Sequence, residues 1–273
     1  MYVIKTMTTE EVEQMHSLLK QYHPYVVERH GKTLLPQYLA MYRLTVDNIE
    51  TYLVVMRNVF SNHLRVHKKY DLKGSTVDRE ASDKEREKNL PTLKDNDFLA
   101  DRIKICIGDE AKEKLMETLA ADVDFLTRLN IMDYSLLLGI HNVDQANGEE
   151  EEVIEEEEED EEYDSGGSGV ALTPPDSPGV ARHPLLTGTI ADGRIDPEKD
   201  IYAIPSRGCQ GNGAQNDIYF LALVDILTQY GAKKVVAKAA KTVKYGSSVE
   251  GISTVGPEQY AKRFLAFISE AIE

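Results

Sequence analysis

A quarter of the way along the chain, Lys69-Tyr70-Asp71-Leu72-Lys73-Gly74-Ser75 combines a carboxylate, an amine and a Gly-Ser turn. Asp71 and Lys73 stand two apart, so on a strand their side chains share a face. Gly74 permits a sharp backbone turn where that strand ends. Such a stretch can hold an ammonium group beside an anion, although a surface turn with an ion pair has the same composition. Two further stretches narrow the chemistry. Ile131-Met132-Asp133-Tyr134-Ser135-Leu136-Leu137-Leu138-Gly139-Ile140-His141 sets one aspartate at the head of an apolar run. Ile218-Tyr219-Phe220-Leu221-Ala222-Leu223-Val224-Asp225-Ile226-Leu227 sets a second within another. A lone carboxylate among apolar residues is costly unless it is paired or binds metal. Two of them with a lysine-glycine turn are the ingredients of a nucleotide and metal site.

Regular elements must bring these residues together. Tyr2-Val3-Ile4-Lys5 reads as a strand. Thr8 and Glu11 have capping-box spacing for a helix to about residue 22, with Val12, Met15, Leu19 and Tyr22 on one face. Residues 39–46 and 51–56 read as a hairpin turning at Asp47-Asn48. A helix over 110–129 carries an apolar stripe of Leu115, Met116, Leu119, Val123 and Leu126 and delivers the chain to Asp133. A last helix opens at Gly256-Pro257, with Tyr260, Phe264, Leu265 and Ile268 inward. Residues 76–97 are dense in both charges and read as a mobile polar segment.

The net charge of −16 argues at first against an acidic partner. However, residues 149–164 hold 11 Glu and 2 Asp without a Lys or Arg, and removing those 13 charges leaves −3. The acidic run is followed by Gly-, Ser- and Pro-rich sequence, so residues 144–200 are expected to be a disordered insert. Within it, Thr173 and Ser177 each precede Pro, as proline-directed phosphorylation sites do. Lys233, Lys234, Lys238, Lys241 and Lys244 lie in an acid-free stretch that fits a short amphipathic helix and attracts anionic lipid. It lacks the aromatic interleaving and motifs of nucleic-acid binding, so no nucleic-acid partner is expected. No apolar run is long enough to span a bilayer, and any membrane contact is expected to be peripheral. Two cysteines, Cys106 and Cys209, make neither a disulfide framework nor a metal site, which fits a reducing compartment.

The motifs YDLKGS and IMDYSLLLGIH and the Asp of VDIL resemble the signatures of phosphatidylinositol phosphate kinases. The run DLKGSTVDREASDKEREKNLPTLKDNDFL resembles the type II branch, the phosphatidylinositol 5-phosphate 4-kinases. The resemblance implies an α+β, two-lobed kinase-like fold. It divides the chain into a partial N-lobe and hinge at 1–60, a C-lobe segment at 61–143, the insert at 144–200, and a metal site, specificity loop and C-terminal helix at 201–273. It also implies transfer of the ATP γ-phosphate to the 4-hydroxyl of phosphatidylinositol 5-phosphate, with ATP and Mg²⁺ at the site, and a weakly active phosphoinositide-binding scaffold as the alternative.

The same resemblance distributes the roles. Lys5 would hold the nucleotide phosphates, with Asn58 and Val59 at the hinge beside the purine. Asp225 would bind Mg²⁺, Asp133 would orient or deprotonate the inositol hydroxyl, and Lys73 would neutralise the transferring phosphoryl group. Arg79 and Lys94 would grip a ring phosphate, and Ala237, Lys238 and Lys241 would meet the lipid. Type I relatives carry Glu where Ala237 falls, which favours the 5-phosphate substrate. The family's Gly-rich phosphate loop and dimerisation strand precede the strand of Lys5, so an incomplete N-lobe is expected, with pairing to itself or to other type II kinases in question. The implied location is cytoplasmic and peripherally membrane-associated, with a nuclear pool.

Overall fold

The computed structural model describes residues 2–148, 195–196, 199–207, 216–230 and 256–273. The first sheet comes from the β-branched and aromatic runs at the start of the chain. Strands β2 (Tyr38–Val46) and β3 (Ile49–Arg57) form the expected hairpin. Asp47 and Asn48 take positive φ, at 50° and 61°, as a two-residue turn matched to strand twist requires. Strand β1 (Tyr2–Met7) lies antiparallel on the other edge of β3 and sets Lys5 opposite Val54, giving the order β1-β3-β2.

Helix α1 (Thr9–Glu28) starts with the expected capping box, in which Thr8 and Glu11 exchange hydrogen bonds. It runs past residue 22, where the sequence ended it, and carries Pro24 inside. Proline removes one helical hydrogen bond, but tertiary packing outweighs that loss. The Tyr25 ring stacks on Phe125 with centroids 4.2 Å apart. Its hydroxyl donates to Asp122 at 2.7 Å.

The second sheet has five strands in the order β5-β4-β6-β8-β7. They are β4 (Lys68–Leu72), β5 (Thr92–Leu93), β6 (Ser135–Asn142), β7 (Ala203–Pro205) and β8 (Asp217–Val224). The β4–β5 pair is parallel and the others antiparallel. Two short helices, α2 (Asp83–Arg86) and α3 (Asp95–Ala100), fill the polar segment after β4. Strands β6 and β8 are buried almost throughout, as apolar runs covered on both faces are. One face meets α4 (Asp109–Arg128) and α5 (Pro257–Ala271), where Leu119, Leu126, Tyr260 and Phe264 pack with Leu72, Leu138 and Leu221. The other side of β8 packs Ile218 and Phe220 against Leu64, Val66, Val143 and Ile195. The chain is thus α+β, as the sequence indicates.

Residue 195, assigned by the sequence to the insert, already belongs to this packing, because Ile195 is an apolar residue with a buried place to go. Asp200 is buried as well, and its carboxylate meets the His63 ring at 3.3 Å. The acidic run, Thr173 and Ser177 lie outside the described residues, as does the expected basic helix. Among the described residues no helix is long and apolar enough to cross a membrane. Cys106 is disulfide-bonded, contrary to the expectation of a chain without a disulfide framework.

Residues 33–36 tie the large sheet to α1. The Leu223 amide donates to the Leu34 carbonyl at 2.8 Å. The Tyr202 hydroxyl donates to the Leu35 carbonyl at 3.2 Å, and that of Tyr22 to Pro36 at 2.7 Å. Asp122 completes the joint. Its carboxylate is 0% exposed and accepts from Tyr25 and Thr33 hydroxyls, both at 2.7 Å, and from the Leu34 amide at 2.6 Å. Burial pushes this carboxyl up from 3.8 to about 6, against the three hydrogen bonds and Arg29, which favour the ionised form.

Removing that acceptor leaves three buried donors unsatisfied. Asp122→Ala should lower unfolding free energy by about 2–4 kcal/mol in urea titrations, and Asp122→Asn by less. The folded state binds the Asp122 proton more tightly than the unfolded chain, so this stabilisation is fully present below 3.8 and is lost as pH rises through about 6. Moving from about pH 7.5 to about pH 5 should therefore stabilise the wild type relative to Asp122→Asn by about 1 kcal/mol.

Candidate active site

Strand register decides which residues meet. In the β6–β8 pair Ser135 stands opposite Val224, and in the β4–β6 pair Leu72 stands opposite Leu136. Asp133 lies just before β6, Asp225 just after β8 and Lys73 just after β4. Antiparallel pairing therefore brings all three to one end of the sheet. The β6 and β8 chains pair again beyond the aspartates, where the Met132 amide donates to Thr228 at 2.9 Å and the Tyr230 amide to Asn130 at 2.7 Å. Between these paired regions the backbone bows out at Asp133 and Asp225, with φ of 63° and 60°. Left-handed backbone is unfavourable for side chains with a Cβ, least so for Asp and Asn.

The first sheet closes the cleft from the opposite side. Lys5 reaches across to Asp225, Nζ to Oδ1 at 3.5 Å, and both side chains remain about half exposed, at 54% and 55%. The cleft has a volume of about 410 Å³. Lys5, Lys73, Asp133 and Asp225 line its polar side, while Val54, Met56, Val59 and Leu137 line its apolar side. Asn58 also borders it, and its side-chain oxygen accepts the Phe60 amide at 3.3 Å. Glu11 lines the cleft but directs its carboxylate to the capping box rather than to Lys5.

Lys73 is largely buried. Its ammonium donates to the backbone carbonyl of Asp133. Burial pushes its pKa below 10.5, and Asp71, Asp133 and Asp225 counter only part of that shift. Behind Lys73 lies a closed set of charges. Asp71 takes Arg79 Nη2 at 3.0 Å and Lys94 Nζ at 3.0 Å. Asp95 takes Arg79 Nε at 2.7 Å. Burial alone would raise the Asp71 carboxyl; the nearby Ser135 hydroxyl, Lys94 and Arg79 outweigh it and hold the pKa below 3.8.

Lys5 from β1 and the aspartates of the two apolar runs, Asp133 and Asp225, thus reach one cleft with Lys73. Arg79 and Lys94 do not. The sequence placed them on a substrate phosphate, but their charges are matched inside the fold by Asp71 and Asp95, and neither lines the cleft. Nor does Asp71 share the face of Lys73 toward the cleft, because β4 ends at Leu72 and the turn redirects the lysine. Ala237, Lys238 and Lys241 lie outside the described residues. Asp95 and Asp122 were missed. Asp122 left a signal as a carboxylate on the stripe of Leu115, Leu119 and Leu126, whereas nothing in the spacing around Asp95 marked it.

The family described as phosphatidylinositol-4-phosphate 5-kinase matches residues 1–271. Phosphatidylinositol 5-phosphate 4-kinase type-2 beta of Mus musculus is 55% identical over 276 residues, covering 99% of this chain and 65% of the relative. The type-2 alpha protein of Rattus norvegicus is 56% identical over 271 residues with the same coverage, and the type-2 beta protein of Homo sapiens is 55% identical over 276. The chain spans 65% of the length of these relatives. A match over nearly every residue, with the motif lysines and aspartates gathered at one cleft, makes this chain a member of the phosphatidylinositol-4-phosphate 5-kinase family.

Proposed function

We propose that this chain transfers the γ-phosphoryl group of ATP to the 4-hydroxyl of phosphatidylinositol 5-phosphate, giving phosphatidylinositol 4,5-bisphosphate. The observation that carries this reading is the meeting of Lys5, Lys73, Asp133 and Asp225 at one cleft. The names of the relatives supply the substrate class. The donor set suits Mg²⁺, a hard cation bound through one or two carboxylates plus phosphate oxygens rather than by an all-protein cage. Among the described residues no group of three or more acidic, His or Cys side chains forms such a cage, and Asp225 keeps a half-exposed carboxylate for the ion. Mg²⁺, when bound, neutralises charge on the phosphate oxygens.

The side chains then divide the work. Lys5 pairs with the nucleotide phosphates in place of its long contact to Asp225, while Val54, Met56, Val59 and Asn58 border the purine. Asp133 orients the inositol 4-hydroxyl and accepts its proton as the oxygen attacks the γ-phosphorus. The bond from that phosphorus to the bridging oxygen breaks, and ADP leaves. Lys73 faces the charge spread over the transferring group. The lysines between 233 and 244 hold the protein peripherally on an anionic membrane surface, and Ala237 favours the 5-phosphate isomer. We assign the activity to the cytoplasm with a nuclear pool.

Two outcomes test this reading with radiolabelled ATP and phosphatidylinositol 5-phosphate vesicles. Asp133→Asn should lower kcat on the order of 100- to 10,000-fold, because Asn tolerates the left-handed backbone but accepts no proton. Nucleotide affinity and melting temperature should stay near wild type. A wild-type chain that binds the vesicles and makes no product would instead support the scaffold. The pH–rate profile should fall on its alkaline side below 10.5, since burial lowers the Lys73 pKa and the neutral amine no longer offsets phosphate charge. Lys73→Arg should move that limb upward.

A further inference from the structure

The turn that presents Lys73 is held by a single buried carboxylate. Asp95 is 0% exposed. Its Oδ1 accepts the backbone amides of Lys73, Gly74 and Ser75 in succession, at 2.9, 2.7 and 3.3 Å. Its Oδ2 accepts Arg79 Nε at 2.7 Å. Three consecutive amides converging on one oxygen form the concavity that elsewhere binds phosphate. Here the fold supplies its own anion. The amides of this turn are therefore closed to a nucleotide, and only the Lys73 side chain is offered to the cleft.

The turn has no freedom to shift. Gly74 has φ of 65°, and a Cβ there would lie 3.0 Å from the Phe264 backbone and 3.1 Å from the Arg263 carbonyl on α5. Helix α5 is fixed in turn by the Tyr260 hydroxyl, which donates to the Tyr134 carbonyl one residue beyond Asp133. At its tip, Lys73 donates to the Asp133 carbonyl. Lys73 is thus pinned at the backbone by Asp95 and at the ammonium by the segment that carries the proton-accepting aspartate. The pairing of Arg79 with both Asp95 and Asp71 keeps the clamp's own charge balanced.

We propose that Asp95 is a positioning residue for phosphoryl transfer: its carboxylate, clamped over the amides of residues 73–75, sets the place of the Lys73 ammonium beside Asp133. The proposal rests on the kinase reading above and adds to it a residue that touches neither nucleotide nor lipid.

The test compares Asp95→Ala and Asp95→Asn with wild type. Asp95→Ala should lower kcat on the order of 100-fold, because a misplacement near 1 Å is enough for that loss. The KM for ATP should stay within about twofold, since Lys5 and the cleft walls still bind the nucleotide. Asp95→Asn keeps one acceptor for the amides and should fall between the two. Backbone hydrogen exchange at residues 73–75 should accelerate in the same order. The alkaline limb of the rate profile should move up toward 10.5 as Lys73 leaves the buried position it shares with Asp71, Arg79, Asp133 and Asp225. Should Asp95→Ala fail to fold, Asp95→Asn carries the comparison. Unchanged kcat in a folded variant overturns the proposal, as does a lower kcat with an unmoved alkaline limb. A wild-type chain without product overturns the kinase reading, whereas unchanged exchange at residues 73–75 overturns the clamp itself, so the two failures are read separately.

Discussion

The antiparallel register of β4, β6 and β8 is the constraint on which the site depends. A slip of one residue would turn every side chain of a strand to the opposite face. Such a slip is opposed by the packing of one face, where Leu136, Leu138, Leu221 and Leu223 sit at or near zero exposure in the cluster with α4 and α5. Core packing thereby fixes which residues follow each strand at the cleft. The strands themselves contribute no reacting group. They determine that Lys73, Asp133 and Asp225 leave the sheet at the same end, within reach of a single ligand.

Around that register the fold concentrates cost. Asp133 and Asp225 both adopt left-handed backbone, and such conformations persist only where surrounding structure over-determines them. The hydrogen bonds of Met132 to Thr228 and Tyr230 to Asn130 provide that support from one side, and the β6–β8 ladder from the other. Buried acids play a matching part elsewhere. Asp122 fixes α1 and residues 33–34 to α4, and Asp95 fixes the Lys73 turn. Each is satisfied by three or more hydrogen bonds, which is what permits a carboxylate to be fully buried.

The two apolar strands, both long helices, the hairpin and the cleft residues Lys5, Lys73, Asp133 and Asp225 were legible because each belongs to a motif or a period. Local chemistry was less informative where distant partners decide the outcome. Arg79 and Lys94 were expected to grip a substrate phosphate, since a sequence does not display that Asp71 and Asp95 will stand against them. Helix α1 passes through Pro24 because Phe125 and Asp122, about a hundred residues on, hold the turn beyond it. Ile195 looked like part of a polar insert because its apolar neighbours come from β8 and the stretch before β4. Composition alone also did not reveal that Cys106 is disulfide-bonded.

The central claim is that Lys5 and Lys73 face the phosphates of one bound nucleotide. An acyl-phosphate derivative of ATP, which transfers its label to lysines beside the bound phosphates, tests this directly when labelled peptides are read by mass spectrometry. Labelling concentrated on Lys5 and Lys73, and suppressed by excess ATP with magnesium, is the expected result. Labelling that avoids both lysines while ATP still suppresses it elsewhere would place the nucleotide outside this cleft and contradict the assignment.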